Sequence, residues 1–177
     1  LLQTGFLAWA DQILVGKNET RNQINGLMRN ILMNTDDPNP IKGDRIICLK
    51  NNWECINETG DALVNGLSGT IQDIYFTRDN PYMEITPVIN FQPDFEDAAP
   101  FIGLEADYKI FMEHEPTVNK ETFRRIPKWF RPNEFDYGYA ITCHKSQGSE
   151  YDKVIVLEEF LKGENKEDHA RWLYTAA

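Results

Sequence analysis

The chain has 177 residues and a formal net charge of −10, because 28 Asp and Glu outnumber 18 Lys and Arg. This acidic balance argues against a protein that covers nucleic acid with a broad basic face, and limits any DNA contact to a few aimed groups. The 12% of aromatic residues favours a folded globule, and no apolar run is long enough to span a bilayer, so no membrane partner is expected.

The three cysteines, Cys48, Cys55 and Cys143, are odd in number and lack the spacing of zinc ligands. A disulfide framework and a four-ligand metal site are therefore not expected. The N-terminus has no basic region followed by a long apolar core. These features predict a cytoplasmic protein with reduced thiols and no metal site.

The first regular pattern is a short apolar run, Gln12 to Val15, followed by a polar turn and a helical pattern through about Met33. Apolar residues recur in this helix at steps of three and four, which predicts one face packed against a sheet. They are Ile24, Leu27, Met28, Ile31 and Leu32. Strand, polar turn and helix predict an α/β unit.

A cluster of turn residues at 34–40 ends the helical pattern, and short apolar runs follow it. Short apolar runs predict strands at 46–49, 62–64, 70–76, Tyr82 to Phe91 and Asp107 to Glu113. The Asn65-Gly66 pair between two of these runs predicts a hairpin. Together the runs predict a small antiparallel barrel.

A basic and aromatic stretch lies at 115–132. It contains Lys120, Arg124, Arg125, Lys128 and Arg131, interleaved with Phe123, Trp129 and Phe130. Such residues can contact phosphates and stack on bases. The alternative is a basic loop folded against the acidic remainder of the chain, and the sequence leaves both open.

The most informative stretch is Tyr139 to Leu157, which reads YAITCHKSQGSEYDKVIVL. Two apolar runs flank a polar segment at 144–150, and this pattern predicts a strand, a tight helical turn and a second strand. Thr142 can cap the turn and Gly148 can follow a tight backbone path, which would point several N–H groups at phosphate oxygens.

This stretch resembles motif V of superfamily 1 DNA helicases, most closely the RecD-like, 5′-to-3′ branch. The earlier segment ILVGKNETRNQIN resembles helicase motif IV, and GDRIICLKNN with VNGLSGTI resembles the SH3-like barrel inserted between these motifs. The resemblance implies an α/β, RecA-like (P-loop NTPase type) parallel sheet domain formed by 1–42 and 136–177. An SH3-like antiparallel β-barrel at 43–135 would interrupt it.

The resemblance also implies roles for individual residues. Arg21 would reach the γ-phosphate of ATP, where a guanidinium stabilises the charge of phosphoryl transfer. The remaining implied residues are Gln147, Gly148 and Glu150 on the nucleotide side, and Thr142, His144, Lys145 and Ser146 on the side of single-stranded DNA. The plainer readings are a solvated Arg21 near Glu19, a His144 that caps its own turn and a solvent-exposed Glu150.

Other helicase motifs are missing from the sequence. No G-x-x-x-x-G-K-[ST] string occurs, no Walker-B-like acidic pair is expected after a buried strand, and the final LYTAA resembles motif VI without its arginine. ATP and Mg²⁺ would therefore be bound only with an N-terminal RecA-like domain of the same protein. We expect the polypeptide to be the C-terminal portion of a helicase that is inactive by itself and holds no complete catalytic set.

Two further hypotheses stay open. The β-barrel could be a protein-interaction module for a proline-rich or replication partner, with the α/β portion as its scaffold. Cys143 and His144 could instead be the nucleophile and base of a hydrolase, although adjacent residues at a strand end point apart.

Overall fold

The computed structural model describes residues 4–146, 151–160 and 165–176. It divides into two compact units, Leu1–Asp37 with Gly138–Ala177, and Pro38–Tyr137. We call them the parallel-sheet unit and the antiparallel-sheet unit. The helices are α1 (Thr4–Leu7), α2 (Asn18–Met33), α3 (Tyr108–Glu113), α4 (Lys120–Arg125), α5 (Cys143–Ser146) and α6 (Lys166–Ala176), with a 3-10 helix at Lys128–Phe130. The strands are β1 (Gln12–Val15), β2 (Arg45–Cys48), β3 (Asn52–Ile56), β4 (Ala62–Leu63), β5 (Ser68–Thr77), β6 (Thr86–Pro93), β7 (Phe101–Glu105), β8 (Phe135–Tyr137), β9 (Ala140–Thr142) and β10 (Val154–Val156).

The parallel-sheet unit contains a three-stranded sheet in the order β10-β1-β9, with both pairings parallel. All four residues of the central strand β1 are buried, as expected for a parallel strand covered on both faces. The predicted strand at Gln12 to Val15, the helix after it, and the strand, helical turn and strand around residues 140–156 are all confirmed.

The buried face of α2 differs from the prediction. Ile24 and Met28 are buried as expected, but Leu27 and Leu32 are 39% and 49% exposed. Three polar residues take their places on the buried face: Arg21, Asn25 and Arg29. The apolar pattern misplaced this face because hydrogen bonding allows polar side chains to be buried, and Arg29, for example, donates to the Asp37 carbonyl at 2.5 Å.

The antiparallel-sheet unit contains a five-stranded sheet in the order β7-β6-β5-β2-β8, and β3 and β4 form a separate pair. Residues 38–137 are all described, and within them β7 and β8 are the two edges of an open sheet. No sheet formed by the described residues is closed, so the predicted barrel is not shown. The core of this unit contains an aromatic cluster. Phe91 is 0% exposed, and its ring centroid lies 6.2 Å from that of Phe101 and 5.2 Å from that of Phe135.

The predicted hairpin at Asn65-Gly66 is wrong. Gly66 has a φ of +89°, as a turn glycine does, but β4 before it pairs with β3, and β5 after it pairs with β2. The Gly66 N–H donates to the Cys48 carbonyl at 2.8 Å. The turn therefore joins strands of two different sheets, because the residues that follow it pair with β2, where the Cys48 N–H donates to the Leu67 carbonyl at 2.9 Å.

The predicted strand at Asp107 to Glu113 is also wrong, because residues 108–113 form α3. The Asp107 carboxylate accepts from the Lys109 N–H at 3.1 Å and from the Thr117 N–H at 2.8 Å. An N-cap of this kind stabilises a first helical turn that a six-residue apolar pattern does not reveal. The strand predicted from Tyr82 begins only at Thr86.

Candidate functional site

The candidate site lies at one edge of the parallel sheet. Val15 at the end of β1 is aligned with Thr142 at the end of β9, and Leu14 is aligned with Val156 of β10. Because these strands are parallel, their carboxyl ends meet at the same edge, which is where α/β proteins place their ligands. The turn into α2, the helix α5 and the segment after β10 all start from this edge.

The turn between β1 and α2 is held by the carboxylate of Glu159. One carboxylate oxygen accepts from the N–H groups of Gly16 at 2.8 Å and Lys17 at 3.1 Å. The other accepts from the Thr20 hydroxyl at 2.5 Å and lies 3.7 Å from the Lys17 ammonium. The side chain of Glu159 is 14% exposed. The start of α2 therefore receives a negative charge from a residue at the far end of the sequence.

This environment lowers the pKa of Glu159. Desolvation raises it, but the hydrogen bonds from Thr20, Gly16 and Lys17 and the charge of Lys17 lower it by more. Hydrogen bonds to the ionised form stabilise that form, so Glu159 stays a carboxylate at neutral pH.

Arg21 lies one residue beyond this turn and is 7% exposed. Its Nε and Nη2 donate to the Asn22 side-chain oxygen at 3.1 and 3.0 Å, and its backbone N–H donates to the Lys17 carbonyl at 3.0 Å. A solvated surface arginine would not be buried to this extent. The structure thus places a guanidinium at the beginning of the helix that leaves the candidate edge.

Asn25 fixes α2 to β9. Its side-chain oxygen accepts from the Ala140 N–H at 2.7 Å, and its side-chain nitrogen donates to the Ala140 carbonyl at 3.2 Å. The amide therefore satisfies both backbone groups of this edge-strand residue, as a neighbouring strand would. This pair of bonds sets the position of the strand that runs into α5.

The residues expected to face DNA are the last residue of β9 and three residues of α5. His144 is exposed, Thr142 and Lys145 are half-buried, and Ser146 is buried with its hydroxyl donating to the Cys143 carbonyl at 2.8 Å. Gln147, Gly148 and Glu150 lie outside the described residues, so their predicted nucleotide contacts stay predictions, as do the roles of the other site residues.

Cys143 at the start of α5 is a poor nucleophile. It is 2% exposed, and desolvation raises its pKa, with the nearby charge of Glu159 acting in the same direction. A buried thiol with a raised pKa has little thiolate at neutral pH. The hydrolase hypothesis therefore loses its chemical basis.

Helix α6 is anchored by a buried histidine. His169 is stacked on Phe160 with ring centroids 4.0 Å apart and on Trp172 at 6.0 Å, and its Nε2 lies 2.9 Å from Glu158. These contacts connect α6 to the segment after β10. Glu158 and Glu159 therefore have separate partners, α6 and the α2 turn.

The antiparallel-sheet unit contains a groove of about 790 Å³. Two exposed tryptophans line it, Trp53 from β3 at 66% exposure and Trp129 from the 3-10 helix at 79%. Its charged lining residues are Lys50, Lys128, Arg131, Glu54, Glu105 and Glu134. The three positive and three negative charges cancel, so the groove is formally neutral.

The basic residues of the groove have partners. Lys128 pairs with Glu54 at 2.5 Å, and Lys50 pairs with Glu134 at 2.8 Å. Arg131 donates to the carbonyls of Ile126 and Arg124 at 2.9 and 3.0 Å. For Lys128 and Arg131 the structure therefore favours a basic loop folded against its own surroundings, whereas Arg124 and Arg125 are exposed.

Sequence reasoning missed Glu159 and Asn25. The available signal for Glu159 was its place just after an apolar strand, where parallel sheets often carry polar functional groups. Asn25 had no signal, because it interrupts the apolar face of its helix. Among the residues that the structure describes, no group of three or more His, Cys, Asp or Glu could hold a metal, and no helix is long and apolar enough to cross a membrane.

Comparison with known proteins gives two kinds of similarity. Residues 137–177 match a family described as the UvrD-like helicase C-terminal domain. No curated protein matches the chain.

Solved structures extend the similarity to most of the chain. One is a structure of two Pif1 helicases coordinating DNA unwinding at forked double-stranded DNA. The match covers 93% of the present chain and 36% of the helicase chain, with a TM-score of 0.55 and 16% sequence identity. For Pif1 helicase from Candida albicans the match covers 94% of the present chain and 42% of the helicase chain, with a TM-score of 0.50 and 17% sequence identity. Pif1 helicase from Bacteroides, solved with ADP-AlF3 and single-stranded DNA, matches 93% and 37%, with a TM-score of 0.48 and 14% identity.

The chain spans less than half the length of these solved structures. At these identities the likeness concerns the fold. The chain is therefore similar to the C-terminal domain of UvrD-like helicases over residues 137–177, and it has a helicase-like α/β fold similar to that of Pif1 helicases.

Proposed function

We propose that the chain is the C-terminal portion of an ATP-dependent DNA helicase of superfamily 1, in the RecD-like branch that moves 5′-to-3′ on single-stranded DNA. The family match over residues 137–177 and the Pif1-like fold support this proposal. The observation that most supports the proposal is the alignment of Val15 with Thr142. Because of it, the segments that resemble motifs IV and V leave the same edge of one sheet.

The parallel-sheet unit would act as the second RecA-like domain, formed by 1–42 and 136–177, with the SH3-like insertion at 43–135. A RecA-like domain elsewhere in the longer protein would supply the phosphate loop and the Mg²⁺ ligands. ATP would lie between the two domains. DNA replication, repair or recombination in the cytoplasm would be the setting, where the free cysteines stay reduced.

The nucleotide side of the site would consist of Arg21, Gln147, Gly148 and Glu150. Phosphoryl transfer places negative charge on oxygens that a fixed guanidinium can stabilise through two hydrogen bonds. Arg21 meets the requirement of being held in place, since it is buried and hydrogen-bonded through two of its nitrogens. Glu150 would accept from the ribose hydroxyls.

The DNA side would consist of Thr142, His144, Lys145 and Ser146. His144 is exposed and, when neutral, can donate one hydrogen bond to a phosphate. Lys145 would add charge, whose contribution to DNA affinity decreases with salt. Ser146 would have to exchange its present bond to Cys143 for a bond to DNA.

The direct test is Arg21→Ala in the longer helicase. We expect the rate constant for DNA-stimulated ATP hydrolysis to fall by about a hundredfold or more, with DNA affinity retained. Arg78→Ala, which removes an exposed arginine from the antiparallel-sheet unit, is the matched control. Unchanged hydrolysis in Arg21→Ala would contradict the assignment of this arginine.

A second test addresses DNA contact. Lys145→Ala should weaken DNA binding and reduce the salt slope of log affinity by about one. An unchanged slope would remove Lys145 from the DNA contacts.

The 177-residue chain by itself should show no DNA-stimulated ATPase activity, and robust activity would refute the assignment of the chain as one half of the motor.

One observation favours a second candidate function, that of a protein-interaction module. The groove with Trp53 and Trp129 is neutral and lies in a unit with 10 Lys and Arg against 17 Asp and Glu. Such a surface suits an extended proline-containing peptide with a basic residue better than a polyanion. Titration of a proline-rich peptide against tryptophan fluorescence tests this, with Trp129→Ala as the variant that should abolish binding.

A further inference from the structure

The carboxylate of Glu159 is committed to four groups of a single short turn. These are the two N–H groups of Gly16 and Lys17, the Thr20 hydroxyl and the Lys17 ammonium. Its neighbour Glu158 has a side chain 58% exposed, compared with 14% for Glu159. Hydrogen bonds to an ionised acceptor are about twice as strong as neutral ones. The structure thus concentrates strong, directional contacts at the turn between β1 and α2.

From this geometry we propose that Glu159 is a positioning residue for the nucleotide reaction. It connects the segment after β10 to the turn that begins α2, and it thereby fixes the place of Arg21. The proposal rests on the proposed function, because it requires Arg21 to act on the nucleotide. It adds a residue outside the motif resemblances and assigns it a definite task.

The route from Glu159 to Arg21 is short, with one hydrogen bond followed by one peptide link. Glu159 binds Lys17 and Thr20, and Arg21 follows Thr20 directly. The Arg21 N–H donates to the Lys17 carbonyl, so the first turn of α2 connects the anchored residue to the arginine. A shift of the turn would therefore move the base of the Arg21 side chain. Displacement of an aligned group by about 1 Å can lower a reaction rate by roughly a hundredfold.

Glu159 also lies within electrostatic range of α5. Its charge contributes to the raised pKa of Cys143, the first residue of that helix. The residue after β10 is thus near both segments of the candidate site, the one that begins with the α2 turn and the one that begins with α5. This location suits a residue that keeps the two segments aligned.

The test is a double-mutant cycle in the longer helicase, with Glu159→Gln, Arg21→Ala and the combination. Glutamine keeps the size of the side chain but removes the charge and presents an NH₂ group to donors. We expect Glu159→Gln to lower kcat for DNA-stimulated ATP hydrolysis by about tenfold or more. In the Arg21→Ala background the same change should alter kcat by less than about twofold, since there is no arginine left to position.

Glu19→Gln is the matched control. Glu19 lies in the first turn of the same helix and is exposed, so its removal takes away an equal charge near the same helix terminus. We expect kcat of Glu19→Gln to stay within about twofold of the unchanged enzyme. Single-stranded DNA affinity, measured for every variant, should also stay within about twofold.

Each outcome has a separate meaning. If Arg21→Ala lowers kcat and Glu159→Gln does not, or if Glu159→Gln lowers kcat equally in both backgrounds, the positioning role is wrong and the proposed function stands. If Arg21→Ala leaves kcat unchanged, the assigned role of Arg21 fails, and the positioning role fails with it.

A second variant covers the case in which Glu159→Gln does not fold. Thr20→Val removes one donor to Glu159 and leaves the carboxylate in place. We expect it to lower kcat by about threefold to tenfold, again with no further loss in the Arg21→Ala background. An unchanged kcat in Thr20→Val, with normal thermal stability, would overturn the proposal.

Discussion

The two units of this protein differ in the buried side chains that stabilise each of them internally. In the described residues the fully buried phenylalanines, Phe91, Phe101, Phe111 and Phe135, all belong to the antiparallel-sheet unit. The parallel-sheet unit buries aliphatic side chains such as Ile13, and on α2 it buries Arg21, Asn25 and Arg29. Both units bury polar side chains, but the fully buried aromatic rings belong to the antiparallel-sheet unit, whereas the buried polar residues of α2 support a sheet edge in the other.

Aromatic packing and polar contacts differ in how precisely they fix the positions of atoms. Apolar packing is strong but does not depend on direction, whereas hydrogen bonds fix particular atoms relative to one another. The bonds from Asn25 to Ala140 and from the α2 turn to Glu159 both lie beside the candidate site. We therefore expect changes in the aromatic core to affect stability most, and changes in the polar contacts to affect the site.

The largest effect on stability is expected for Phe91→Ala. Phe91 contacts Phe101 and Phe135, and removal of its ring should cost about 3–5 kcal/mol of unfolding free energy. Hydrogen exchange should show loss of protection in residues 38–137 well beyond that in β1 and β9. A cost below about 1.5 kcal/mol would mean that the aromatic cluster does not hold this unit together.

The next effect separates two glycines, one from each unit. A Cβ at Gly69 would lie 2.1 Å from the Gln92 carbonyl oxygen, so Gly69→Ala should cost about 3 kcal/mol. Gly26, on the exposed side of α2, has nothing within 4 Å of the added carbon, and Gly26→Ala should stabilise by about 0.5–1 kcal/mol. Equal effects in urea denaturation would contradict the close approach of β5 to β6.

A moderate effect is expected for Asn25→Ala. The change leaves the N–H and carbonyl of Ala140 without the partner that Asn25 provides, which should cost about 1–3 kcal/mol. Asn30→Ala, in the same helix with an exposed side-chain bond to Asp36, should cost less than about 0.5 kcal/mol. The comparison by chemical denaturation fails if the two variants are equally stable.

The smallest effect is a pH dependence at Glu159. The pKa of this carboxyl is lower in the folded protein than its ordinary value of 4.5. Its stabilisation is therefore fully present above pH 4.5 and is lost as the pH falls through the folded pKa.

The corresponding variant is Glu159→Gln. Its destabilisation of about 0.5–1.5 kcal/mol near neutral pH should diminish below pH 4.5, where the unchanged protein also loses the charge. Thermal unfolding of both proteins between pH 3 and 7 is the measurement, with the pH range set by the ordinary carboxyl pKa. A difference that stays constant over this range would show that the charge of Glu159 does not contribute.

Local patterns in the sequence were sufficient where the interactions are local. The strand Gln12–Val15, the helix that follows it, and the turn after Thr142 were predictable because apolar periodicity and turn residues act over a few positions. The same local rules failed at Asp107 to Glu113 and at Asn65-Gly66. A side-chain cap decided the first segment, and the choice of strand partner decided the second.

Local sequence patterns were enough to predict the α/β arrangement at both ends of the chain. The packing of the folded chain brings Glu159 to Thr20, 139 positions away, and Asn25 to Ala140, 115 positions away. It also decided that the five-stranded sheet stays open. A hydrogen bond between distant residues depends on how strands and helices pack, and a local pattern carries no information about that packing.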